Sequence, residues 1–408
     1  MGSEKCDVLV VGGGPAGLRA AELVSAAGRR TMLADHKPTV GRKFLVAGRG
    51  GLNLTHSEPV ENFPARYGAP AQRWSSLLAD FSPGDLRAWA EGLGIETFVG
   101  TSGRVFPLTK QAAPLLRRWI ERLRKQGVSF RPRHGLADFR RMESGGWEVD
   151  FTTPRGPVTL RARVVILALG GASWPQTGSD GAWVKLFAET GIAVTPLAPA
   201  NCGYEVDWTP EFLAQAEGMP LKNVVVRAGD ESVSGELLIT KYGLEGGAIY
   251  QLGRALRTMA QPKIEIDLKP AFTVEQLAAK IRHAKGPHLF EEATRAWRLS
   301  RVAVALLQLR APFASNGELA ALAKAYPLSL RGPRPIEEAI STAGGVSWEE
   351  LDDKLMLKRC PGIFCAGEMI DWDAPTGGYL IQGCLSTATR AAQGANQFLT
   401  GKHEGMKS

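Results

Sequence analysis

The chain has 408 residues, 44% of them hydrophobic, with a formal net charge of +8 and a pI near 9.3. That is enough sequence for two or three domains around large apolar cores, with no need of covalent staples. The five cysteines, Cys6, Cys202, Cys360, Cys365 and Cys384, are odd in number, scattered and without a C-x-x-C pair, which excludes a disulfide framework and suits a reducing compartment.

The first apolar run, Val8 to Val11, follows two acids and meets three glycines, so it lacks the basic front and apolar length of a signal peptide. The run from Val164 to Leu169 is too short to span a bilayer. A cytoplasmic, soluble protein with no membrane partner is expected. The densest basic segment, Arg117 to Lys125, carries Trp119, Ile120 and Leu123 at helical spacing, which places its cations on a solvated face. Nucleic acid is therefore not the expected partner, and the basicity serves to draw in anionic ligands.

Residues 6–35 read as strand, glycine turn, helix, strand. Val8 to Val11 is a continuous aliphatic run, as a parallel strand buried on both faces requires. Gly12, Gly14 and Gly17 fit G-x-G-x-x-G, with a helix from about Pro15 to Ala27. Gly12 permits the sharp turn, Gly14 lets backbone approach a pyrophosphate, and Gly17 lets the helix pack close to the strand. Phosphates would then sit at a helix N-terminus, where free N–H groups and the dipole favour negative charge. Asp35 falls 18 residues beyond Gly17 at the end of the second strand, where an acid accepts hydrogen bonds from a ribose and repels a 2′-phosphate. Together these features predict an adenine dinucleotide.

The stretch "GRKFLVAGRGGLNLTH", Gly41 to His56, holds four glycines and three Lys/Arg side chains with no obvious periodicity. It follows the ribose-binding acid so closely that it must cross toward the ring end of the ligand. An ordered strap is expected, with glycine allowing close backbone approach and Asn53 and Thr55 as polar anchors. Lys43 and Arg49 can neutralise a pyrophosphate, bind an anionic substrate or offset negative charge on a reduced flavin. His56 is a candidate proton relay near neutral pH, against a plain role as a loop hydrogen-bonder.

A nicotinamide enzyme would continue with a plain run of βα units, but here the next buried strand, Val164 to Leu169, is delayed and ends in Gly170 and Gly171. From about Ala198 to Ile340 the texture changes. Residues 223–240 read as a hairpin turning at Gly229-Asp230 and Lys263 to Leu268 alternates with period two. Three helical stretches follow, two of them opening at Thr273 and Asn316 as caps. A last strand, Gly362 to Ala366, leads to Gly367-Glu368 and a helix beginning near Gly383. A first and a last strand meeting at one ligand is how FAD is held in the glutathione-reductase-like fold, with Glu368 as acceptor for the ribitol.

The expected fold is therefore α/β. A Rossmann-like FAD-binding domain of glutathione-reductase type, residues 1–197 and 341–408, is interrupted by an inserted antiparallel β domain with a helical part. The insertion covers residues 198–340, its β part about 198–270 and its helical part about 271–335. It has no second G-x-G-x-x-G after a strand, so a nicotinamide donor would have to dock transiently. The terminal "GKHEGMKS" reads as a short frayed tail.

Four blocks carry a more specific likeness: "VVGGGPAGLRAA"; "GRKFLVAGRGGLNLTH"; "GRVFPLTKQAAPLL" with "ALGGASWPQTGSDG"; and "GGVSWEEL" with "GIFCAGEMIDWDAPTGGYLIQG". On these the chain resembles the BaiN/YhiN-like family of FAD-dependent oxidoreductases, whose relatives include aminoacetone oxidase. The resemblance implies FAD contacts at Gly12, Gly14, Pro15, Ala16, Gly17, Asp35 and His36; at Lys43, Gly48, Gly50, Asn53, Leu54 and Thr55; at Gly170, Gly171 and Trp174; and at Gly367, Glu368, Gly377, Gly378, Tyr379 and Gln382. The chain departs from the family twice. The Arg-Cys pair of the family's glycine loop is replaced by Gly51-Leu52, and its Gln-Trp-Ala-Trp-Ser-Ser becomes Gln382-Gly383-Cys384-Leu385-Ser386-Thr387.

Flavin supplies the electron chemistry, so few catalytic side chains are needed. Candidates are Asn53, His56, Arg49 and Asp371, the last bracketing Trp372 with Asp373 so as to orient an amine. Cys384 near a helix start is read by default as a small buried group, and no cluster has metal-ligand spacing. The leading expectation is an FAD-dependent oxidoreductase that takes a hydride from a small organic substrate, an amine among the candidates, and passes electrons to oxygen or another acceptor. Two alternatives stand beside it: an NAD(P)H-dependent flavin reductase of an unsaturated or carbonyl substrate, and a flavin-binding protein that meets RNA or protein without turnover.

Overall fold

In a computed structural model, which describes residues 4–401 except Arg49, Ala69 and Lys285, the chain opens with the expected strand, turn, helix and strand. These are β1 (Lys5–Val11), α1 (Pro15–Ala26) and β2 (Thr31–Asp35). β1 runs parallel to β2 on one side and to the strand Val158–Leu167 on the other. Val8, Leu9 and Val10 are fully buried, because both faces of the sheet are covered. Ser129–Pro132 extends the sheet parallel to β2, and Ile363–Cys365 pairs parallel with Val158–Leu167. The hairpin Gly135–Arg141 and Trp147–Thr152 adds antiparallel strands to the same sheet.

Two compact units divide the described chain: the residues up to Ala198 with those from Ser341 onward, and Pro199–Ile340. Each has its own apolar cluster.

Within the first unit the stretch after β2 differs from its expectation as an unpatterned strap. It opens with a short helix, α2 (Arg42–Ala47), after Gly41 at φ +70°, and ends in β3 (Thr55–His56), antiparallel to Arg104–Pro107. Six residues are too few for periodicity to declare itself. What holds α2 is a single buried aromatic, Phe44, edge-on to Trp119 at 6.4 Å. The C-terminal helix Tyr379–Leu399 starts four residues before the expected Gly383. Gly383 is an interior packing position: a Cβ there would lie 2.9 Å from Tyr67 and 3.0 Å from Trp372.

The basic helix Ala112–Lys125 buries Leu115, Leu116, Trp119 and Leu123 and turns most of its cations outward, as its spacing predicts. Arg122 is the exception. Its guanidinium reaches Glu22 of α1 at 2.8 Å, and the same carboxylate accepts from Arg19 (3.2 Å) and the indoles of Trp89 (3.0 Å) and Trp119 (3.1 Å). Glu22 is only 4% exposed, a position a carboxylate tolerates when charges and donors converge on it.

The second unit is a seven-stranded antiparallel sheet with helices. Its central hairpin, Pro220–Ala228 and Glu231–Thr240, turns at Gly229-Asp230. Thr273 caps its helix in a capping box. Two details correct the sequence. The cap before residues 316–324 is Ser315, not Asn316, and the long helical stretch at 290–309 is two helices, Leu289–Ala296 and Arg301–Gln308, broken where Arg298 takes φ +48°. The chain also returns to strand after its helices. Tyr326–Ser329 pairs with Lys263–Asp267, because alternation resumes where the last helix stops at Lys324.

Glu22→Ala should cost about 3–5 kcal/mol, since it strands two buried indoles and a buried guanidinium. Denaturant unfolding of the purified protein measures it, and Glu22→Gln, which keeps part of the hydrogen bonding, should cost less.

Candidate flavin site

The parallel strands end together: Val11 lies opposite Leu167, and Leu167 opposite Cys365. A cleft with about 780 Å³ of empty space opens beyond these carboxyl ends, lined by the glycine turn, Asp35, Lys43 and Glu368. Open α/β sheets place ligands at such a crevice.

Each glycine of the turn has a different geometric reason. Gly12 has φ +104°, and a Cβ on it would lie 2.2 Å from the Ala168 carbonyl oxygen. At Gly17 a Cβ would lie 1.8 Å from the Gly12 oxygen, so only glycine lets α1 cross β1 this closely. Gly14 has open space where its Cβ would be, and no side chain caps the α1 N-terminus. Unpaired N–H groups therefore face the cleft, with room for an anion. Pro15 begins the helix and Ala16 follows, packing 2.7 Å from where a Gly367 Cβ would be.

Asp35 accepts the amides of Gly13 and Lys37, each at 2.7 Å. Burial pushes its pKa up, and those two amides pull against the rise. Three polar atoms on the cleft wall, His36 Nε2, Arg42 Nε and Ser179 Oγ, are buried without a partner in the protein. Orphaned donors and acceptors on the wall of a cleft fit a polar ligand that supplies the missing partners, so the residues present suit a dinucleotide.

Lys43, from α2, donates to Ser173 Oγ (2.7 Å) and to Glu368 (2.9 Å). Gly170, at φ +73°, lines the cleft, while Gly171 packs 2.4 Å from Thr342 as measured from a built Cβ. Trp174 is half-buried at φ +57° beside this segment and is not part of the cleft wall.

Other residues singled out in the sequence support the cleft from behind. Leu54 and Thr55 are fully buried. Thr55 Oγ1 donates to Gln382 (2.8 Å), whose amide donates to the Phe81 carbonyl (2.7 Å). Gly378 lets the C-terminal helix start against the strap, since a Cβ there would lie 2.5 Å from Thr55; Gly377, before it, has φ +126°. Tyr379 donates to Glu58 (2.5 Å) and stacks on His56 at 5.5 Å. Gly48 abuts Ala112, and Gly50 is exposed. Asn53 carries a buried carbonyl oxygen with no partner in the protein. Arg49 lies outside the described residues.

His56 has both nitrogens engaged: Nδ1 accepts the Glu58 amide (3.1 Å) and Nε2 faces the Ser102 carbonyl (3.0 Å). Asp371 accepts from Thr195 at 2.6 Å. Cys384 lines the cleft, and burial pushes its thiol up to about 12, so it is a neutral group there. Among the described residues no cluster could hold a metal ion, and no helix is long and apolar enough to cross a membrane.

Sequence reasoning missed His134, Thr177, Ser179 and the partner pair Ser173 and Thr342. Ser173, Thr177 and Ser179 sit in "ASWPQTGSDG", where small polar residues in a turn carry no spacing that marks a ligand contact. His134 follows an edge strand and carries no local signal; its amide is bound to the Asp35 carbonyl at 2.9 Å.

The glycine crossing, the terminal acid and the late glutamate define a Rossmann-type flavoprotein. The chain belongs to the family described as HI0933-like protein Rossmann domain, which it matches over residues 6–394. It is an FAD-dependent oxidoreductase. It is similar to the ribosomal RNA dihydrouridine synthase of Escherichia coli, 26% identical over 96% of this chain and 98% of that one. It is comparably similar to the 3-dehydro-bile acid delta(4,6)-reductase of Clostridium scindens, 25% identical over 95% and 98%. Among solved structures its fold is similar to that of 3-ketosteroid delta1-dehydrogenase from Sterolibacterium denitrificans, with a TM-score of 0.55 at 11% identity over 98% of this chain and 100% of that one.

Two thiols, the buried Cys6 and the half-buried Cys384, are held up to about 12 from an ordinary 9.0 by desolvation. The folded state thus binds their protons more tightly than the unfolded state. Their stabilising contribution is complete below pH 9 and declines as pH rises from there toward 12. Denaturant midpoints over that range should fall, and fall less in a Cys384→Ala variant, provided the unmutated protein is measured beside it.

Proposed function

We propose that this protein reduces a carbon–carbon double bond conjugated to a carbonyl, drawing electrons from NADH or NADPH, rather than oxidising a small amine with oxygen. One observation carries the choice. The full-length relatives act, by name, on an RNA base and on a steroid acid, and the two substrates share one electrophile. Dihydrouridine is uridine saturated at the bond conjugated to its carbonyl, and a delta(4,6)-diene beside a 3-oxo group is the same arrangement extended.

FAD when bound supplies the hydride for such a bond. The chain's residues do the holding. The free amides of α1 at Gly14 favour the negative pyrophosphate, Asp35 fixes the turn that presents them, and Lys43 sets a cation on the cleft wall. Cys384, a neutral thiol, adds no charge there. The sequence has no second dinucleotide motif, which fits a nicotinamide that visits the flavin and leaves before the substrate enters.

A specific observation also favours an anionic substrate. Residues 199–340 hold 17 Lys and Arg against 16 Asp and Glu, so nearly all of the +8 belongs to the rest of the chain, which builds the flavin cleft. That bias supports a uracil within RNA as the double bond reduced, because phosphates are drawn to such a field.

The test is anaerobic. The yellow protein is mixed in turn with NADH, NADPH and a panel of small amines, and its absorbance followed. Rapid bleaching by a nicotinamide, then recovery of colour on adding an enone or a uridine-containing RNA with a product heavier by two hydrogens, is the expected outcome. Bleaching by an amine with peroxide on admitting air would defeat the proposal.

A further inference from the structure

Four residues on the cleft side of the first unit close into a ring of hydrogen bonds. Lys43 Nζ donates to Ser173 Oγ (2.7 Å) and to Glu368 Oε2 (2.9 Å). The Thr342 amide donates to Glu368 Oε1 (3.0 Å), and the Ser173 amide donates to Thr342 Oγ1 (3.2 Å). The Ala172 amide joins at the same oxygen (2.9 Å). The ring therefore runs Lys43, Ser173, Thr342, Glu368 and back to Lys43. Its members come from α2, from the turn after Val158–Leu167, from the strand Ser341–Val346 and from the turn after the last parallel strand.

Two features separate this ring from an ordinary surface ion pair. Its neutral half is buried, with Ser173 at 0% and Thr342 at 1% exposure. Its charged half, Lys43 and Glu368, lines the cleft with side chains 25% and 13% exposed. An exposed lysine–carboxylate pair holds neither partner in place. Here the carboxylate and the ammonium each have a second partner, the Thr342 amide and Ser173 Oγ, so each charge is held at a fixed position on the cleft wall.

We propose that Lys43 is a positioning residue for FAD. Through the ring it fixes the Glu368 carboxylate as an acceptor for the cofactor, and it keeps one cation beside the cofactor in its reduced, anionic form. This inference rests on FAD as the cofactor and is independent of which double bond is reduced. A ring that only stapled segments together would act on folding and leave the cofactor's properties alone.

Three variants, Lys43→Met, Lys43→Arg and Ser173→Ala, are compared with the unmutated protein by three measurements: the FAD dissociation constant of the apoprotein, the midpoint potential of the bound flavin, and the apoprotein Tm. Lys43→Met is expected to weaken FAD binding at least tenfold and to shift the potential to more negative values, with Lys43→Arg restoring most of both. Ser173→Ala, which removes one of the two partners of the ammonium, is expected to weaken binding about fivefold, as for loss of one hydrogen bond. Unchanged affinity and potential in Lys43→Met would overturn the proposal. So would a fall in apoprotein Tm with the potential unmoved, which marks a staple. Should Lys43→Met not fold, Ser173→Ala decides alone, and unmoved affinity and potential there overturn it.

Discussion

The structure depends first on how closely α1 crosses β1. With a built Gly17 Cβ only 1.8 Å from the Gly12 oxygen, any side chain at 17 would push the helix off the strand. The N-terminal amides of α1 would then no longer point over the carboxyl end of the sheet. Everything else at the cleft is arranged around that fixed point: Asp35 grips the turn through the Gly13 amide, and Ala16 packs against Gly367 of the last strand's turn. The first and last strands of the sheet thus meet at one helix end.

Glu22 extends the same constraint outward. It lies on the far part of α1 and gathers donors from α1 itself, from Trp89 and from the basic helix at 112–125. The basic helix in turn supplies Trp119, against which Phe44 of α2 is packed. Lys43, the neighbour of Phe44, is therefore placed in the cleft by a chain of contacts that starts at α1. A buried carboxylate with four donors is costly to disturb but specifies one arrangement of three helices.

Much of this was legible in the sequence, for a physical reason. Glycines that meet hard steric limits leave a fixed spacing, so Gly12, Gly14 and Gly17 could be assigned before any coordinates, and a strand buried on both faces shows as the run Val8 to Val11. The break of the helical stretch near Arg298 and the return to strand at Tyr326 were not legible, because tertiary pairing decides them. Nor was the hydrogen-bond ring at Lys43. Ser173 and Thr342 are 169 residues apart, and a serine or threonine acquires a role only when folding brings its partner near. His134 is the same case. The histidine at 56, legible as a candidate because imidazoles serve as proton relays, turns out to have both nitrogens bound locally.

The two departures from the resembled family pattern have a packing explanation that bears on how far a substrate can be inferred from them. Where the family carries tryptophan in the C-terminal helix, this chain has Gly383. The space is taken by Tyr67, Trp74 and Trp372, whose atoms would lie within 3.2 Å of a Cβ there, with Tyr67 and Trp74 stacked at 3.7 Å. A larger side chain at 383 would therefore collide with those rings. Leu52, in place of the family's cysteine, is likewise 0% exposed, inside the core rather than on the cleft wall. Gly383 and Leu52 are thus absorbed behind the flavin site, whereas Cys384, within the second departure, lines the cleft. Of the departures, Cys384 is therefore the one placed to touch a ligand, while on the strap the buried Asn53 oxygen has no partner in the protein and is open to a hydrogen bond from one.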